Sequence, residues 1–153
     1  MENNFLFNPD ENRNYQMTKV LDCNAYTKKF GVTLSEADAL TLMESRSATL
    51  RDQQRVEFGE GILPKIISAF CDSAYIYQDN YLDMLQTLQD IFYLYKNESL
   101  DELSDDELIK YMREEFEGKC QGSLEYLEDT SLAEFARAIR KRSHGFLGKK
   151  EEE

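Results

Sequence analysis

The carboxylates Glu57 and Glu60 stand in the string Val56-Glu57-Phe58-Gly59-Glu60-Gly61, where two glycines two apart permit a turn that other residues resist. A carboxylate on such a loop can serve as a general base or as a ligand-binding group, and loops are where these groups concentrate. Tyr75, Tyr77 and Tyr81 make the densest aromatic cluster, with Tyr93 and Tyr95 further along. Tyrosine joins a large apolar face to a polar tip, which suits a binding surface and suits equally a helix junction whose hydroxyls reach water or backbone. Cys120, in Gly118-Lys119-Cys120-Gln121-Gly122, has a cation beside it and glycines nearby, conditions that lower a thiol pKa; the plainer reading is an unreactive free thiol. No feature singles out a carboxylate held protonated beside a second one, so no catalytic residue is assigned.

The rare residues exclude more. His144 is the only histidine, and one imidazole cannot build a multi-histidine zinc site. Cys23, Cys71 and Cys120 are odd in number and widely spaced, the pattern of reduced thiols in a reducing compartment. Cys71 lies in an apolar string and reads as a small buried hydrophobe. The acidic run Asp101, Glu102, Asp105, Asp106 and Glu107 invites a divalent cation, but it lacks the ligand spacing and central glycine of a calcium loop, so helix capping and solvation account for it. No cofactor and no metal are expected.

Charge narrows the partners. The 153 residues carry 30 acidic and 18 basic side chains, a net charge of −12. Such an excess opposes nucleic-acid binding, which draws on Lys and Arg neutralising phosphates, and opposes an anionic membrane surface. No apolar run approaches the roughly 20 residues that span a bilayer, and the first residues lack a signal-peptide pattern, so the expected location is cytoplasmic. The charge is uneven: residues 1–136 hold 12 basic and 27 acidic groups, whereas residues 137–153 hold 6 and 3. The basic end either compensates a helix dipole or docks on the acidic body of a second copy or another partner.

The elements that must carry these residues read as helices. Two prolines and seven glycines are too few for the turn rhythm of a β-sandwich or barrel. The pattern predicts an all-α, single-domain bundle of about five to seven helices, with an irregular arm at 1–13, a helical domain at 14–142 and a flexible tail at 143–153. Met17, Val20, Leu21 and Ala25 give a stripe that Gly31 ends. Thr33 with Glu36 forms a capping-box pattern before a helix over 34–55, with Leu40, Met43, Ser47 and Leu50 as its inward row. Pro64 opens a helix to about Asp72, apolar nearly all round and so expected at the centre. Asp79 can cap the strongest helix, with Tyr81, Leu82, Leu85, Leu88, Ile91, Phe92 and Tyr95 on one face. Ser104 with Glu107 and Ser131 with Glu134 supply two further boxes, and a short helical piece falls at Ser123–Leu127.

The strings RVEFGEGILPKIISAFCDSAYIYQDNY, over residues 55–81, and DDELIKYMREEFEGKCQGSLEYL together resemble a family of small bacterial proteins, mostly from Firmicutes, that carry a domain of unknown function. The resemblance covers about residues 15–140. It implies no activity, cofactor or catalytic residue; it implies a bacterial, cytoplasmic protein and places the Gly-Glu-Gly turn and the segment after Cys120 within the domain.

Two functions fit these residues. One is a non-catalytic interaction or regulatory protein, its acidic surface drawing a basic partner protein or a second copy. The other is a small enzyme or ligand-binding protein with a site at the Gly59–Gly61 turn and the Tyr75–Tyr81 junction, using Glu57, Glu60 or Cys120.

Overall fold

The computed structural model describes the backbone of residues 9–57, 59–100 and 102–152 and the side chains of residues 12–57, 59–100 and 102–142. Among them every regular element is helical. Six helices have eight residues or more, within the expected number.

Helix α1, Pro9–Asp22, opens on a proline whose fixed φ suits the first turn. It takes in residues 9–13, which the sequence places in the arm; residues 1–8 lie outside the described residues. Its inward row is Asn12, Gln16 and Val20, one turn apart. Of the expected stripe only Val20 is buried; Ala25 is exposed. The two polar residues can face inward because both find hydrogen-bond partners there, as set out below.

A single turn, Asn24–Thr27, tightens into a 3₁₀ turn at Lys28–Phe30 and stops at Gly31, where φ is +85°. The extended segment that follows is clamped by two carboxamides. Asn24 donates to Leu34 O at 2.8 Å and accepts from Leu34 N at 2.9 Å. Gln78 does the same to Thr33, with both bonds at 2.9 Å.

Helix α2, Glu36–Gln53, is capped by Ser35, not Thr33: Ser35 Oγ accepts from Asp38 N and Asp38 returns to Ser35 N, both at 3.0 Å. Thr33 is unsuited because its own N–H and C=O are taken by Gln78. The buried row is Ala39, Leu42, Met43, Arg46, Thr49 and Leu50, while Leu40 and Ser47 from the expected row are exposed. Arg46 and Thr49 enter because each has a dedicated partner, Glu57 and Asp90 respectively.

Helix α3, Leu63–Phe70, has Pro64 in its first turn and buries Leu63, Ile66, Ile67 and Phe70, while Lys65 and Ser68 are exposed, so it is buried on one face and not nearly all round as the sequence suggests. Each such side chain removed from water contributes about 1.5–3 kcal/mol. Helix α4, Gln78–Glu98, buries Tyr81, Leu85, Leu88, Ile91, Phe92 and Tyr95. Asp79 lies inside its first turn. The residue that reaches back over the helix start is Asn80, whose Oδ1 accepts from Tyr77 N at 2.9 Å.

Helix α5, Asp105–Glu117, begins with the expected Ser104–Glu107 box, both bonds present. Those bonds hold the Glu107 carboxyl below its usual range. After a turn, Ser123 caps Leu124–Tyr126, and a π-helical turn over Leu127–Ser131 runs straight into helix α6, Leu132–Glu152. Ser131 is therefore not a cap, since the helix is already under way. The backbone stays helical through 143–152, where the sequence suggests a flexible tail. Arg140 pairs with Glu98 at 2.9 Å and Arg142 with Glu102 at 3.5 Å, so part of the basic end finds its acid within the chain.

Packing divides into two compact units, Met1–Asp90 and Ile91–Glu153, with α4 contributing to each. In the first, α1 packs on α2 and α3. In the second, the core gathers Leu108, Met112, Phe116, Leu127, Phe135 and Ile139, and the rings of Tyr95, Tyr111 and Phe135 meet at 5.0–5.9 Å. No described helix is long and apolar enough to cross a membrane.

Candidate functional site

Glu57 is a structural carboxylate. Its Oε1 accepts from Arg46 Nε at 2.7 Å, with both side chains only 10% exposed, and its Oε2 accepts from Ile62 N at 3.0 Å, closing the turn. The Glu57 carbonyl accepts from Asn12 Nδ2 at 3.3 Å and Arg46 Nη2 at 3.4 Å, and Gln16 Nε2 donates to Gly59 O at 3.0 Å. Gly61, at φ +77°, lies so close that a Cβ would stand 2.7 Å from Glu57 Oε1. Helices α1 and α2, with the N–H of Ile62 just before α3, thus hold the Gly-Glu-Gly turn shut around one ion pair. Glu60 is exposed on this turn. The sequence reading missed Asn12, Gln16 and Arg46; the only signal for the first two is their four-residue spacing with Val20.

The tyrosine junction splits by burial. Tyr81 is inside, and burial pushes its phenol well above the usual range. Tyr75 and Tyr77 are exposed, Tyr77 to 58%. One side chain presents both: Asn80 accepts from Tyr77 N at 2.9 Å through Oδ1 and donates to Tyr75 O at 3.2 Å through Nδ2. Tyr26 and Phe30 are exposed as well, on the segment that leads into the Gln78 clamp.

Cys120 belongs to the second unit and is buried, contrary to the reactive-thiol reading. Its Sγ lies 3.4 Å from Ser131 Oγ, which donates to Glu115 Oε1 at 3.2 Å. Lys119, the neighbouring cation, is turned to carboxylates instead, at 3.1 Å from Glu115 and 2.6 Å from Glu134. Burial outweighs that cation, and the Cys120 thiol is pushed up rather than down. Cys23 is raised for the same reason, and Cys71 is buried too.

Thus, of the six expected site residues, the structure places Glu57 and Glu60 on one locked turn, presents Tyr75 and Tyr77 on one clamp, and buries Tyr81 and Cys120. In the acidic run, Asp105 pairs with Lys96 at 2.6 Å, Glu102 with Arg142, and Glu107 caps its helix. Among the described residues no three His, Cys, Asp or Glu side chains gather to hold a metal ion. The side chain of His144 lies outside those described.

Fold and surface define an all-α helical protein with two outward tyrosines whose backbone is bridged by Asn80. A family model for a family of unknown function, DUF6323, matches residues 19–145, and the chain belongs to that family. No curated protein and no solved structure matches it.

Proposed function

We propose that this is a non-catalytic interaction protein whose contact surface is built around Tyr75 and Tyr77. The carrying observation is the Asn80 clamp, which fixes the backbone on both tyrosines while leaving the rings outward. A backbone segment held in place before contact loses little freedom on binding, and a few aromatic residues commonly dominate an interface. Two of the groups that could do chemistry are engaged elsewhere, Glu57 in its ion pair and Cys120 in the core, while Glu60 is exposed. The net charge of −12 favours a partner with a basic surface and speeds its approach. The setting is a bacterial cytoplasm, consistent with reduced thiols.

The test is affinity purification of the wild type beside a Tyr75→Ser/Tyr77→Ser double variant. A stoichiometric protein retained by the wild type and lost from a variant of unchanged melting temperature supports the proposal. Equal retention by both, or a retained small molecule with no protein, sinks it.

A further inference from the structure

Two segments of opposite charge are fastened side by side within the first unit. Residues 23–33 carry Lys28 and Lys29 and no acid, whereas residues 72–83 carry Asp72, Asp79 and Asp83 and no base. The buried Thr27 is in side-chain hydrogen-bonding contact with Tyr81, and Thr33 gives its N–H and C=O to Gln78, both bonds at 2.9 Å. Lys28, Lys29 and Phe30 lie in the chain between these two anchors, and Tyr77 and Asp79 flank Gln78. Asp83 follows Asp79 by one helical turn, so the two carboxylates share a face of α4.

Lys28, Lys29, Asp79 and Asp83 are all exposed, and among the described residues none of them forms an ion pair. Lys29 Nζ lies instead over the Phe30 ring, 5.3 Å from its centroid. Other cations of the chain are spent: Arg13 pairs with Glu44, Arg46 with Glu57 and Arg140 with Glu98. The same two segments and the loop before α4 expose Tyr26, Phe30, Tyr75 and Tyr77, and clustered exposed apolar side chains mark an interaction surface. A net charge of −12 repels a second copy at a distance, so only a surface that carries its own base beside its own acid can meet itself. A two-fold contact demands that self-complementarity, because each copy offers the other the same patch. Exposed ion pairs add little affinity but fix the register, while the rings supply most of the contact energy.

We infer that a second copy of this chain docks on this surface across a two-fold axis, with Lys28 and Lys29 of each copy facing Asp79 and Asp83 of the other and the exposed rings between them. This rests on the tyrosine surface proposed above and names its partner: the basic surface that suits an acidic chain is carried by the chain itself.

The experiment is a charge exchange on the full-length chain, read by sedimentation velocity. One variant is Lys28→Asp/Lys29→Asp and the other Asp79→Lys/Asp83→Lys; all four positions are exposed and free of ion pairs among the described residues, so both variants are expected to keep the fold, which circular dichroism checks. The wild type is expected to sediment as a dimer. Each variant alone sets like charges against each other twice, and its self-association is expected to weaken by more than about tenfold. An equimolar mixture restores both charged contacts, and a dimer containing one chain of each kind is the supporting result. A wild type that stays monomeric at its highest soluble concentration overturns the inference, and so does a dimer that persists in either variant alone or a mixture that stays monomeric. A monomeric wild type that still retains a different protein through Tyr75 and Tyr77 removes the second copy as partner and leaves the tyrosine surface standing, so the two failures are told apart.

Discussion

Arg46 Nε and Glu57 Oε1 stand 2.7 Å apart with both side chains nine-tenths buried, eleven residues apart in the chain. This pair ties the middle of α2 to the turn that precedes α3. Removing two charges from water is costly, and here the cost is offset by the bonds from Ile62 N to the carboxylate and from Arg46 Nη2 to the Glu57 carbonyl.

Arg46→Met leaves Glu57 buried without its cation and is expected to cost about 3–5 kcal/mol, a large share of a small domain's stability. Glu57→Gln keeps an acceptor for Ile62 N and is expected to cost less. Urea unfolding of the two variants gives the order; a smaller loss for Arg46→Met than for Glu57→Gln contradicts the arrangement.

The two glycines of the turn differ. Gly59→Ala meets nothing within 4 Å and bears only the strain of φ +64°, about 1–2 kcal/mol. Gly61→Ala adds to similar strain a Cβ 2.7 Å from Glu57 Oε1 and 3.1 Å from Gln16 Cδ, so it displaces the ion pair as well. Melting temperatures are expected to fall further for Gly61→Ala.

The start of α2 can be read by substitution. Ser35→Ala removes the cap and is expected to cost about 1 kcal/mol. Thr33→Ala leaves both bonds to Gln78 intact, since they use the Thr33 backbone, and is expected to stay within about 0.5 kcal/mol of wild type. The opposite order would place the cap on Thr33.

Tyr95→Phe removes the hydroxyl that donates to Leu127 O at 2.8 Å and leaves the ring among Tyr111 and Phe135. The buried carbonyl then lacks this partner, and the expected loss is about 1–3 kcal/mol by chemical denaturation.

Stability is expected to have an alkaline limb. Burial raises the thiols of Cys23 and Cys120 and the phenols of Tyr81, Tyr95 and Tyr111 above their ordinary values of 9.0 and 10.0. Above those values the unfolded chain releases protons that the folded chain retains, so unfolding is favoured as pH rises. The contribution is complete below pH 9.0 and declines through 9.0–10.0 and beyond. Circular dichroism melts across this range check it, and a melting temperature that stays level up to pH 11 contradicts the burial of these groups.

Much of the architecture is legible without coordinates, because it is written locally. Leu63, Ile66, Ile67 and Phe70 recur at helical spacing and so share one buried face, and Ser104 with Glu107 meets its cap within four residues. Gly31 ends its element because an αL position at a helix end is where glycine is favoured. In each case the interacting groups are neighbours in the chain, and spacing alone brings them together.

The site was less legible. Asn12 and Gln16 look like polar residues on a solvent face until Glu57 and Gly59, more than forty residues away, are brought against them. Arg46 breaks the apolar row of α2 on paper and completes it in space. Cys120 reads either as a plain thiol or as one activated by Lys119, and the fold gives that lysine to Glu115 and Glu134 and buries the thiol.

The sequence by itself determined that this protein is all-helical, acidic and provided with a glycine-hinged turn and a cluster of tyrosines, since composition, period and caps depend on residues a few positions apart. The tertiary structure alone decided which of those residues remain available: Tyr75 and Tyr77 outside, Tyr81 and Cys120 inside, Glu57 held by Arg46. Burial and charge pairing are properties of what lies across from a side chain, and no local spacing specifies that.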